Sequence, residues 1–158
     1  MNGQVMKLKP WVWKALVATL AGSAAHSLLM YFKSQFSILP NFEPYQALQI
    51  ALNRFVGNSA PPLLSWAISF LSGATIIGLL FGRIYQLLPG RSGLTKGIVF
   101  GLLGWIIMGL IVFPLLGFGV FATQIGSNLA PAFFSLGMLL AYSVVMGLVY
   151  AALNQPRQ

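Results

Sequence analysis

Apolar residues along the chain gather into four long runs, at about Trp11–Phe32, Pro61–Gly82, Gly97–Phe118 and Pro131–Leu153. Lys14, near the start of the first, is the one charge inside any of them. A helix rises about 1.5 Å per residue, so about 20 apolar residues are needed to cross a hydrocarbon core roughly 30 Å thick. Each run meets that length, and the pattern predicts four transmembrane helices. Prolines at 10, 61 and 131 stand where helices start, where a missing N–H costs nothing. Pro89-Gly90 predicts a turn after the second run. In the polar stretch between the first two runs, "PYQALQIALNRFV" changes to an amphipathic helical period. Tyr45, Leu48, Leu52, Phe55 and Val56 share one face, with Ile50 the exception, and this predicts a helix over 44–56 lying on the membrane surface or capping the bundle. Pro44 suits its first turn, and Glu43 suits the positive end of its dipole. "GFGVFATQIGSNLAP" reads as a tight loop between the third and fourth runs. The predicted fold is all-α and membrane-embedded: four transmembrane helices in a compact bundle, one domain over 1–158, with a short amphipathic surface helix between helices 1 and 2.

Composition turns this pattern into a statement about solvent. The 158 residues are 58% hydrophobic and 6% charged, with no Lys, Arg, Asp or Glu between Gly97 and Pro156. Soluble domains carry roughly 25% charged residues, so a water-facing surface cannot be built from this composition. The formal charge of +8 does not point to nucleic acid, because the nine basic residues are scattered at segment ends and form no stripe. They read instead as topology. With a cytoplasmic N-terminus, Lys7, Lys9, Lys14, Arg83, Arg91, Lys96 and Arg157 fall inside, and only Lys33 and Arg54 fall outside. Seven against two follows the positive-inside rule and predicts both termini on the cytoplasmic side. Trp11 and Trp13 at one end of the first run, and Tyr31 and Phe32 at the other, suit the two interfaces. The basic start and small residues of the first 25 positions also resemble a signal peptide, but the apolar run continues through Leu28–Phe32, so the segment is read as a span. There is no cysteine, hence no disulfide, thiolate site or cysteine nucleophile.

Small residues recur on every span. Ala15, Ala18, Gly22 and Ala25 form a stripe on the first; Ser65, Ser69 and Gly73, then Gly78 and Gly82, mark the second. Gly97 and Gly101 open the third, and Ser143 and Gly147 lie on the fourth. Lipid tails are as apolar as leucine, so membrane helices associate by close contact, which small residues permit. The stripes predict a compact bundle and equally permit self-association or contact with partner membrane subunits.

Candidate chemistry reduces to one side chain, His26, the only histidine. Thr19, Ser23 and His26 share a helix face. A polar group is costly in hydrocarbon, so His26 is expected to face the bundle, uncharged and hydrogen-bonded. Ser65 and Ser69 stand at similar depth on the second span and are its expected neighbours. Cofactor ligation by His26 is the functional alternative, but a lone histidine without cysteine makes a poor haem site, and a proton relay needs further ionisable groups. No cofactor and no metal site is expected. Paired carboxylates are impossible with a single acidic residue, and a Ser-His-Asp triad has no Asp. "GRSGLTKG" lacks the spacing of a phosphate-cradling loop. Pro114 lies too near the end of the third span to define a midplane transport site, and more simply ends that helix. The residues therefore point to a non-enzymatic protein embedded in the lipid bilayer, an accessory or scaffold subunit of a membrane assembly. The alternative is a small-solute channel or transporter acting as an oligomer.

At "KGIVFGLLGWIIMGLIVFPLLGFGVF" and "AYSVVMGLVYAAL" the chain resembles a family of small, uncharacterised bacterial four-helix membrane proteins. The likeness rests on Gly97, Gly101, Trp105, Pro114, Gly117, Gly147 and Tyr150 and covers the second half best. It implies a bacterial inner-membrane location and a domain of unknown function, with no catalytic residues to carry over.

Overall fold

The computed structural model describes residues 9–56, 61–125 and 129–155, with the side chains at 54–56, 62, 65 and 69 excepted. Its elements are α1 (Pro10–Gln35), α2 (Pro44–Val56), α3 (Pro62–Ser72), α4 (Gly78–Ile84), α5 (Gly93–Ile107), α6 (Phe113–Leu115) and α7 (Ala130–Asn154). A π turn, Gly73–Ile77, joins α3 to α4, and another, Met108–Val112, joins α5 to α6. Among the described residues, four stretches are long and apolar enough to cross a membrane: Pro10–Gln35, Trp66–Ile84, Gly93–Leu115 and Ala130–Asn154.

These spans match the four runs expected, and α2 keeps the expected bounds. Ala47 on α2 is buried while Gln46 and Ile50 are exposed. The third span is the main correction, because it begins at Gly93 rather than Gly97 and ends at Leu115 rather than Phe118. At its start the Ser92 side chain accepts a hydrogen bond from the Thr95 N–H at 3.1 Å, a helix cap. Lys96, which reads as a loop charge, sits in the first turn because its ammonium donates to the Tyr85 carbonyl at 2.6 Å and lies 4.4 Å from the centre of the Tyr85 ring. At the other end the Gly117 N–H donates to Pro114 O and the Phe118 N–H to Phe113 O, at 3.0 and 2.9 Å. This is a Schellman stop, with Gly117 at φ +80°. The π turn before it has a cause in Pro114, whose ring lacks an N–H and crowds the carbonyl four residues back.

α7 is the shared wall of the bundle, packed against α5 on one side and α1 on the other. The small-residue stripes lie at these contacts. A Cβ on Gly97 would come within 2.5 Å of the Ser143 carbonyl oxygen, and one on Gly22 within 2.7 Å of the Tyr142 carbonyl oxygen. Gly93 and Gly147 face each other in the same way. α4 lies on α1, where Gly82 meets Ala15 and Gly78 meets Thr19. The Trp105 indole adds a tie by donating to Ala132 O at 3.0 Å.

Two aromatic clusters mark the ends. At the basic end, where Lys14 donates to Asn154 at 2.9 Å, Tyr85, Phe100 and Tyr150 gather around Phe81 and Met146. At the far end Phe42 packs its ring on Phe113, Phe118 and Phe134. The expected tight loop after the third span instead folds back as a 3-10 turn, Val120–Ala122. It places the Phe121 ring over Gly109 and 4.7 Å from Trp105; residues 126–128 of this loop lie outside the described residues. Glu43, expected at the dipole of α2, pairs with Lys33 at 2.6 Å, and the lysine side chain keeps only 2% exposure.

Four variants, compared by unfolding in detergent, test this packing. Gly97→Ala should destabilise by roughly 1–3 kcal/mol, because the atom it meets is backbone and cannot yield. Gly137→Ala, on an open face of α7 with nothing within 4 Å, should be neutral or gain up to about 1 kcal/mol from helix propensity. Glu43→Gln should cost roughly 2–4 kcal/mol, less than a fully buried pair would, since Glu43 keeps 36% exposure. Adding Lys33→Met to Glu43→Gln should recover part of that loss, because the stranded lysine charge is then gone.

Candidate ligand-binding cavity

Because α4 rests on α1 and α5 rests on α7, the second and third spans leave a space between them. It measures about 550 Å³. α1 and α7 form its floor through Ser23, His26, Tyr142 and Ser143, and Tyr45 of α2 reaches its far end. The walls are apolar, with Ile77 and Leu80 on the second span facing Leu103 and Ile107 on the third. Leu80 and Ile107 are 49% and 57% exposed, so the cavity opens sideways between the spans. On the basic side Phe100 lines it, and the Phe100 ring meets Phe81 edge to face at 5.0 Å, with Tyr150 5.7 Å from Phe81. Burial, and then the neighbouring Tyr150, push the Tyr85 phenol above its ordinary value, so the ring beneath Lys96 is uncharged at neutral pH. A second space of about 280 Å³ continues along α1 beyond the far end of the first. The two share Ser27 and Tyr45, and the second reaches the Lys33–Glu43 pair.

Hydroxyl groups in the spans fall into two sets. Thr19, Thr75, Ser135 and Ser143 donate to carbonyls of their own helix, Ala15, Leu71, Ala132 and Leu139, at 2.5 to 2.8 Å. This back-bonding is how a helix hides a hydroxyl from hydrocarbon. Tyr142 reaches across instead and donates to the Gly73 carbonyl at 2.7 Å, where the π turn widens the helix. Ser23, His26 and Ser27 differ: they line the cavity and make no hydrogen bond to any described residue. His26 thus lines the cavity, but the hydrogen bond expected of it is not made to any described residue. The side chains of Ser65 and Ser69, its expected neighbours, lie outside the described ones. Ser23 and His26 were legible as one helix face. Ser27 shares their i, i+3, i+4 spacing and could have been added on that signal; Tyr142 and Gly73, far apart in sequence, carried none.

The described residues thus define a class: an all-helical protein with four helices of membrane-crossing length and a side-opening apolar cavity between two of them. The model of a family of unknown function, DUF6789, matches residues 11–158, and the chain belongs to that family. No match was found among curated proteins or among solved structures.

Removing the hydroxyl that spans from α7 to the π turn tests its weight. Tyr142→Phe keeps the ring against Gly22 and should cost about 1 kcal/mol of stability in detergent unfolding, the scale of interhelical hydrogen bonds in membrane proteins.

Proposed function

We propose that the protein is a multi-pass membrane protein without catalytic machinery, an accessory subunit that serves a membrane assembly by binding, and that the side-opening cavity is the part that binds. The carrying observation is the direction of that cavity. It opens between two spans toward the surrounding medium, whereas a pore needs a polar path along the helices. Lysines at the span ends are engaged in structural contacts, Lys14 with Asn154, Lys33 with Glu43 and Lys96 with Tyr85, which suits fastening rather than conduction. Leu102, Ile106 and Leu110 on the third span stand exposed, giving lipid or a partner subunit an apolar face to cover. The distribution of basic residues supports both termini on the cytoplasmic side.

The sequence has no cysteine, so single cysteines placed at Gln4 and at Gln155 report topology without background. Both should be labelled from the cytoplasmic face of sealed vesicles and neither from the opposite face. The purified protein in liposomes should pass neither ions nor small neutral solutes, while gentle extraction should keep a partner membrane protein at fixed stoichiometry. Solute flux by the isolated protein would replace this reading with that of an oligomeric channel.

A further inference from the structure

We propose that the cavity is a binding site for an uncharged lipid: a long hydrocarbon carrying a carbonyl- or hydroxyl-bearing head that hydrogen-bonds to Ser23, His26 and Ser27. This rests on the reading of the cavity as the binding part of the protein.

The first argument is the contrast among hydroxyls. Four are turned back onto their own helix carbonyls, so the fold has a ready way to satisfy such groups. Ser23 and Ser27 do not use it, and His26 stands between them on the same face of α1. Ser23 is 5% exposed and lines the cavity. In hydrocarbon these groups need partners, and the cavity is where a partner from outside the chain can reach them. A neutral imidazole offers one donor and one acceptor, and each hydroxyl offers both, so the cluster can receive a carbonyl or a hydroxyl equally.

The second argument is charge and depth. Among the described residues, no Lys, Arg, Asp or Glu lines this cavity. A phosphate or other ionic head would lose its water there without a counter-charge. His26 also lies six residues before Phe32, the end of the apolar run, which is about 9 Å along the helix at about 1.5 Å per residue. Phospholipid heads stay at the interface, whereas neutral lipids enter the hydrocarbon.

The third argument is shape. The polar cluster stands part-way along the cavity, with Leu80 and Ile84 continuing toward the basic end and Ile107 and Val112 toward the far end. A head at His26 therefore has an apolar course for its tail. The volume, about 550 Å³, falls within the roughly 300–1,000 Å³ of ordinary ligand sites.

The test is equilibrium binding of tritiated decylubiquinone and tritiated dioleoylglycerol to the full-length protein in mild detergent. At least one should bind saturably at one per chain, with no displacement by excess phosphatidylglycerol, and the two arms separate a quinone head from a hydroxyl head. His26→Leu and the double variant S23A/S27A should each weaken binding by about tenfold, the scale of a hydrogen bond lost in a dry site. Gly104→Leu places bulk in the cavity where a Cβ meets only Leu139 Cδ2 at 3.4 Å, and should abolish binding while leaving the unfolding midpoint near that of the parent. Absence of saturable binding by both probes, displacement by equal phosphatidylglycerol, or affinities unchanged in both His26→Leu and S23A/S27A would overturn the proposal. Lost binding with no flux and a retained partner removes only the lipid, whereas flux removes the underlying reading.

Discussion

The close approach of α5 to α7 sets everything else in this molecule. Gly93, Gly97 and Gly147 bring the two backbones together with no room for a Cβ. Among lipid tails there is little gain from hiding leucine, so helices adhere where many atoms come into contact at once, and that requires small residues. α7 meets α1 by the same means on its other side, at Gly22. With both sides of α7 occupied, α4 takes its place on α1, at Ala15 and Thr19. The second and third spans are thereby held apart by the two helices between them, and the cavity is the geometric consequence.

Polar groups in the long apolar helices follow one rule, a partner within the protein. Hydroxyls bond backward along their helices, Trp105 bonds to α7, and Tyr142 bonds to Gly73. Both π turns lie beside the cavity, since Gly73, Ile77, Met108 and Val112 all line it. Such turns recur at functional sites because they release backbone or re-aim side chains locally. Here one receives the Tyr142 hydroxyl and the other accommodates Pro114. Ser23, His26 and Ser27 stand apart from that rule at the same place, which is why the cavity rather than a loop or a helix end holds the functional interest.

What the amino-acid sequence determined by itself was everything that depends on solvent and period. Runs of apolar residues located the four spans, the 3.6-residue period located α2 between Pro44 and Val56, and small residues marked the faces that would touch. These are local properties, readable one helix at a time. The tertiary structure decided the pairings. It drew Lys96 into α5 through Tyr85, joined Glu43 to Lys33, and turned Phe121 back over Gly109. It also converted Ser23 and His26 from a polar face into part of a cavity, by setting Leu80 and Leu103 opposite one another with α1 and α7 beneath. A cavity belongs to the gap between helices, and no single helix carries its record. Which gap stays open depends on the relative closeness of several backbones at once, and that is settled only when all four spans are in place.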